Sequence, residues 1–550
     1  MKKIIRYLII LIFAILLAFG YYYVTLPALN IHSSGFWIFI LSVLVMCSIG
    51  VSLASLKSKI KIQASPEGEI NLDDLRAHSN KKQSLLSKFF ITITVLMFLI
   101  FAVGSLLSSP IINAKKYQQL LTVETRDFSS DIQEVDYNQI PLLDRDSSQL
   151  LGNRKMGSMV DMVSQFEVSD LYSQINYQGK PVRVSPLIYA SPIKWLTNQS
   201  EGIPAYILID MTTQNTECVK LEEGIKYSQS EYFNRNIYRH LRFKYPTYIF
   251  DTINFEIDEE GTPYWIAPVK KFNIGLFGGQ TIGRVVLCNA ITGETVDYAV
   301  EDVPTWVDRV YSADLLTTLY NYHGSLKHGF LNSVLGQKDC LQTTSGYNYL
   351  ALDDDVWVYT GITSVNGDES NVGFVLMNQR TMETRFYSIE GATEESAMAS
   401  AQGQVQNLGY RATFPLLLNI GGEPTYFIAL KDNAGLVKKY AMVNIQKYQW
   451  VAIGDTVSEC EAAYLDLLTS NGITSTESLP THSIKGTISK MVPCVINGNT
   501  HYLIMLEGSE EIYNLDLTKH MDMIRYEVGS PIEFEYTEDT MPFNIISLIS

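Results

Sequence analysis

Three nearly uncharged apolar runs, 7–24, 36–54 and 89–107, open the chain. Each is close to the roughly 20 residues a helix needs to cross a bilayer, which predicts a membrane domain over residues 1–107 with three spans. Beyond residue 107 the pattern changes to short alternating segments separated by polar turns. The clearest is Ile282 to Val300, IGRVVLCNAITGETVDYAV, in which Val285, Val286 and Leu287 run into a turn at Asn289 to Glu294, followed by Val296, Tyr298 and Val300. Period-two alternation on both sides of a polar turn predicts a β-hairpin. The hairpin recurs without a gap at Phe374 to Ile389, FVLMNQRTMETRFYSI, where Asn378, Thr381, Glu383 and Tyr387 stand for Asn289, Thr292, Glu294 and Tyr298. A weaker copy, Tyr206 to Leu221, keeps Asp210 and Thr213, and a worn one, Ala441 to Ile453, keeps Asn444.

Helical periodicity follows each copy. Stripes and stop or cap signals mark 228–243 (opened by Ser228-x-x-Glu231), 305–322, 393–408 (ending at Gly409) and 456–470 (opened by Thr456-x-x-Glu459). The expected unit is therefore hairpin, hairpin, helix, in four divergent copies over 171–475, with markers at irregular intervals. The triplet Gly-x-Pro returns at Gly179, Gly202, Gly261 and Gly422, each time launching a strand. Residues 108–170 lack sustained periodicity and read as a connector packed on the next domain. Over 480–550 short strands and an Asn497-Gly498 turn predict a small OB-like β-barrel. The fold class is α+β.

Charge fixes the expected orientation. Lys2, Lys3 and Arg6 precede the first run, and Lys57, Lys59, Lys61, Arg76, Lys81, Lys82 and Lys88 lie between the second and third, whereas Thr25 to Gly35 carries no Lys or Arg. Positive segments stay cytoplasmic, so the N-terminus is placed inside and residues 108–550 outside, with Ala18 and Gly20 as a weak site for cleavage after the first run. The exterior region holds 32 basic and 54 acidic residues, a balance that opposes a nucleic-acid partner. Six cysteines without a CxxC pattern form neither a disulfide framework nor a zinc site; Cys218 and Cys288 fall in expected strands.

The run strand, Asn-x-x-Thr-Gly-Glu, strand, best kept at Leu287 to Val300, resembles the PepSY-type module found outside the bacterial membrane. The whole chain is similar to a group of uncharacterised bacterial membrane proteins, through YSQSEYFNRNIYRHLRFKYPTYIFD and PTWVDRVY. The resemblance implies extracytoplasmic regulation, often of peptidases, and supplies no catalytic residue. The copies at Asp210 and Asn444 depart from it in lacking Gly-Glu.

The chain contains no HExxH, GxSxG, Walker or Rossmann pattern. Gly275, Gly278, Gly279 and Gly283 read as a loop between strands, and His323 and His328 have the wrong spacing for one helix face. Asp258 to Glu260 and Asp353 to Asp355 read as solvated turns, so no catalytic, metal or cofactor site is assigned. A basic face, Arg235, Arg239 and Arg242, stands out in an acidic region; internal pairing with acids such as Asp258 to Glu260 is favoured over an anion or partner contact. The expected function is a membrane-anchored extracytoplasmic scaffold or regulator of the cell envelope, working on another envelope protein without a cofactor. The alternative is an envelope hydrolase acting on a glycan or peptide between modules.

Overall fold

A computed structural model describes residues 2–57, 85–132, 140–352, 354–365, 370–472, 481–496, 499–517, 520–537 and 542–549. The chain forms two compact units, Met1–Ala463 and Tyr464–Ser550. The first begins with helices α1 (Lys2–Thr25), α2 (Ser34–Lys57) and α3 (Leu85–Leu107). Among the described residues, Lys88–Leu107 is long and apolar enough to cross a membrane, at mean hydropathy 2.6 with 6% of it buried; Ile12–Thr25 and Ser34–Ile49 are shorter apolar stretches.

Four antiparallel meanders follow. The first runs Ser173–Tyr177, Lys180–Tyr189, Ile203–Asp210, Thr216–Ile225, and the second Asn254–Ile257, Pro263–Ile274, Gly278–Asn289, Thr295–Ala299. The third is Asn348–Leu352, Asp355–Ser364, Gly373–Asn378, Thr384–Tyr387, and the fourth Leu416–Ile420, Glu423–Lys431, Val437–Asn444, Val451–Gly454. The marker residues make one turn. Asp210, Asn289 and Asn378 each accept two backbone N–H groups two and three residues on, an Asx turn that fixes the hairpin locally. In each, the residue four positions on is left-handed: Gln214, Gly293, Met382. Tyr298 pairs with Val285 as Tyr387 pairs with Phe374, the same register in both copies. The Asn444 turn is one residue longer, its N–H reaching Trp450 in place of the fifth residue.

The other hairpin turn is shared too. Gly179, Gly261 and Gly422 occupy it with positive φ, and in the third copy Asp354 takes the same conformation at φ 64°. Gly202 sits elsewhere, ahead of the third strand of its sheet.

Each helix precedes the sheet it belongs to, which reverses the expected order of the unit. The residue after the marker is the reason: its carbonyl accepts from the chain leading into a helix. Leu142 N bonds to Met211 O, Lys226 and Tyr227 N to Ala290 O, Val310 and Tyr311 N to Gln379 O, and Ala392 N to Ile445 O. The four helices are thus Arg145–Gly157, Ile237–Lys244, Ala313–Ser325 and Glu394–Gln404, capped by Asp144, Asn236, Ser312 and Thr393. Residues 108–170 accordingly contain the first module's helix, and Glu124–Arg126 adds a parallel edge strand to the third sheet. The remaining candidate, Val457–Ser470, begins with the expected capping box: Glu459 N donates to Thr456 Oγ1 and Thr456 N to Glu459 Oε2.

Two expected helices start late because their backbone donors are committed elsewhere. Ser228-x-x-Glu231 closes a turn, not a helix, since Ser228 N donates to Arg235 O and the Glu231 carboxylate is held by Tyr189 Oη and Trp195 Nε1. Residues 305–312 are not helical; Asp308 N and Arg309 N donate to Glu256. Successive modules share cores. One cluster joins Val184 and Ile207 of the first sheet to Phe255 and Trp265 of the second, and another packs Leu316 and Leu319 between Val285 of the second and Val358 of the third.

In the second unit five strands, Thr481–Ile496, Asn499–Leu506, Tyr513–Asp516, Pro531–Thr537 and Phe543–Leu548, close in the order first, second, third, fifth, fourth, with the third and fifth parallel. Tyr513, Phe534 and Ile504 fill the interior.

Candidate functional site

Of the three arginines singled out in the sequence, Arg239 and Arg242 lie where the second module meets the end of α1, and Arg235 faces the first module. Arg242 donates from Nε to Leu26 O at 2.9 Å and from Nη1 to Tyr248 O at 2.5 Å. Arg239 donates to Phe233 O at 2.8 Å while its guanidinium covers the Tyr23 ring at 4.2 Å. Arg235 donates to Gln199 O at 2.5 Å. Arg242 is buried and Arg235 and Arg239 are half-buried, and the partners found are carbonyls and a ring where acids were expected. For Arg242 the short helix explains this, because Tyr245 O, Pro246 O and Tyr248 O follow its last turn and Arg is the cation that spans several planar acceptors. Asp258 to Glu260 lies apart, as an exposed turn in which Asp258 accepts from Glu260 N and Thr262 N.

The connection between α1 and α2 is bonded to the same module. Leu29 N reaches Pro246 O, Asn30 Nδ2 reaches Thr247 O at 2.9 Å, and the His32 ring stacks on Phe272 with Nδ1 2.8 Å from Leu276 O.

A hairpin tip completes the joint. The glycine-rich stretch links Pro263–Ile274 to Gly278–Asn289 and places Phe277 against Phe101 of α3 and Trp37 of α2, at centroid distances of 5.1 and 6.3 Å. Leu276 lies on Gly104. Ser108 Oγ accepts from Leu276 N and Phe277 N at 2.8 and 3.1 Å, and Tyr117 Oη donates to Ser108 O at 2.6 Å. Glycine is required at 278, where a Cβ would stand 2.2 Å from Ser108 O. The sequence signal was the glycines themselves, read there only as a loop.

Sequence reasoning missed a buried acidic hub where the first three modules meet. Glu256 and Asp308 are both fully buried. Burial pushes the Glu256 carboxyl up to about 7 against the backbone N–H groups it accepts, and burial together with Glu256 drives Asp308 well above the usual carboxylate range. Asp308 Oδ2 accepts from Asn176 N at 2.6 Å, and Asn176 Nδ2 donates to Asp354 at 2.8 Å. Asp355 is buried, not solvated, and pairs with Arg380 at 2.6 Å. Only burial distinguishes these acids from the other 50 or so, and sequence periodicity does not report it.

His323 approaches Gln118 and His328 pairs with Asp339, so the two do not converge. Among the described residues no three His, Cys, Asp or Glu side chains could hold a metal together. Comparison of the chain with protein-family models and with curated proteins returns no match.

Proposed function

We propose that the protein is a membrane-anchored extracytoplasmic scaffold or regulator of the cell envelope, which couples its repeated modules to its helices. The observation that carries this reading is the joint at Leu276 and Phe277, where a sheet hairpin is packed between α2 and α3 and bonded to Ser108. A loose tether would need neither contact. With the arginine contacts to Tyr23 and Leu26, the joint makes the second sheet and the helices move together.

In this reading α1, α2 and α3 all span the bilayer, and the basic residues between α2 and α3 hold that segment inside. The α1–α2 connection and the end of α3 then face the exterior side, the side on which the modules dock. Exposed Ile111, Ile112, Leu331, Val334 and Leu335 flank the cluster of Tyr117, Ile274 and Leu326 that follows α3, as expected of a surface lying at the lipid interface. The meanders with a preceding helix are read as PepSY-like and the terminal barrel as OB-type, a module suited to protein contact given its acidic strands.

The partner is expected to be another envelope protein. Cross-linking in intact cells, followed by identification of the captured protein, tests this. Reproducible capture of an envelope protein supports the reading, whereas cross-links confined to the chain itself at full labelling would count against it.

A further inference from the structure

A cavity of about 340 Å³ lies among the first, third and fourth modules. Its polar lining is unusual for the donors it leaves over. Arg183, on the strand Lys180–Tyr189, is 5% exposed and meets no carboxylate; Nη2 donates to Gln174 Oε1 at 3.3 Å and Nε has no partner. Gln174, 2% exposed, leaves Nε2 unbonded, and Arg309 leaves Nε unbonded while Nη2 reaches Tyr349 Oη at 3.3 Å. Arg145 completes a set of three guanidinium groups and donates to Asp170 O at 2.6 Å. Two acids also line the cavity: Asp144, which caps its helix through Ser147 N and pairs with Lys431 at 2.5 Å, and the exposed Asp146.

Buried donors are nearly always satisfied, and an arginine stays charged inside proteins. Burial pulls Arg183 down to about 10, with Arg309 adding to the shift and Asp144 opposing it, so the fold holds like charges near each other with neither guanidinium ion-paired by its side chain to an acid. A fold retains that cost where something else supplies the counter-charge. The remaining walls carry Asn348 and four aromatic side chains: Tyr172, Phe414, and Tyr347 and Tyr349, whose rings meet edge to face at 5.6 Å. A volume of this size is at the lower end for small-molecule sites, which run from about 300 Å³.

We propose that this cavity binds a small aromatic carboxylate, its planar oxygens taken by Arg183 and Arg309 and its ring by Tyr347, Tyr349 and Phe414. Guanidinium forks match a carboxylate's two oxygens, and the flat walls suit a flat body. The site is independent of the scaffold reading.

Benzoate is the probe, measured by equilibrium dialysis on the full chain in detergent, with succinate, benzamide and inorganic phosphate as comparators. Benzoate is expected to bind with a Kd of about 1 mM or tighter, ahead of all three. Arg183→Met and Arg309→Met should each weaken it at least about tenfold. Arg183→Met should also melt at or above the parent temperature, because replacing an unpaired buried charge by an apolar side chain relieves strain. The proposal is overturned if benzoate does not bind the parent, if phosphate binds as well, if both variants bind like the parent, or if Arg183→Met melts several degrees lower.

Discussion

Replacing Gly278 by alanine should open the joint between the helices and the second sheet. The added Cβ would lie 2.2 Å from Ser108 O, 2.3 Å from Tyr117 Oη and 2.9 Å from Ile274 O. Two of these are backbone carbonyls that no rotamer change can move, so the hairpin tip must retreat by about 1 Å to reach ordinary contact distance. That retreat breaks the bonds from Leu276 N and Phe277 N to Ser108 Oγ. Overpacking costs about 1–3 kcal/mol and the two lost hydrogen bonds about 0.5–1.5 kcal/mol each, which together make about 2–6 kcal/mol. Gly283→Ala is the control, because its Cβ would meet only the Lys271 side chain, nearest at Cβ 3.1 Å away, and a shift of a few tenths of an ångström relieves that contact. Hydrogen–deuterium exchange on the full protein in nanodiscs reads the effect. At about 1.4 kcal/mol per decade, amides of residues 276–277 should exchange about 30-fold faster or more in Gly278→Ala, while Gly283→Ala stays within about threefold. Equal exchange in Gly278→Ala and the parent would refute the argument that the tip is locked on Ser108.

Two further outcomes follow from the site. Arg242→Gln strips the donors from Leu26 O and Tyr248 O and should cost about 1–3 kcal/mol, read as a lower melting temperature; a triple Gln variant at Arg235, Arg239 and Arg242 that melts like the parent yet loses retention on an anionic polymer column would assign these arginines to a ligand. Glu256 holds its proton in the native state up to about 7, against 4.5 ordinarily, so its contribution is fully present below about pH 4.5 and is lost as pH rises towards 7. Urea midpoints of Glu256→Gln should therefore fall less than the parent's between pH 5 and 7.5, and parallel profiles would remove Glu256 as the cause.

What could be read from the sequence was what is local. Asn289 and Asn378 announce their hairpins because an Asx turn is made within four residues, and the Thr456 and Glu459 box is equally short in range. Helix ownership was not legible, since it is set by bonds such as Leu142 N to Met211 O, about 70 residues apart. Asp354 concealed the third copy's turn by doing in an Asp what glycine does in the others. The arginines were visible as an anomaly of charge, but carbonyl acceptors leave no mark in a residue pattern. Arg183 and Gln174 were invisible for the opposite reason, being unexceptional residues in a strand until the third and fourth modules close over them.

The side of the membrane on which the modules lie tests the account most directly. With the native cysteines replaced, a single cysteine is placed at Ser84, in the basic segment between α2 and α3, or at Val160, which is 87% exposed on the first module. A membrane-impermeant maleimide added to intact cells should label Val160→Cys and spare Ser84→Cys until the cells are permeabilised. Labelling of Ser84→Cys with protection of Val160→Cys would contradict the account.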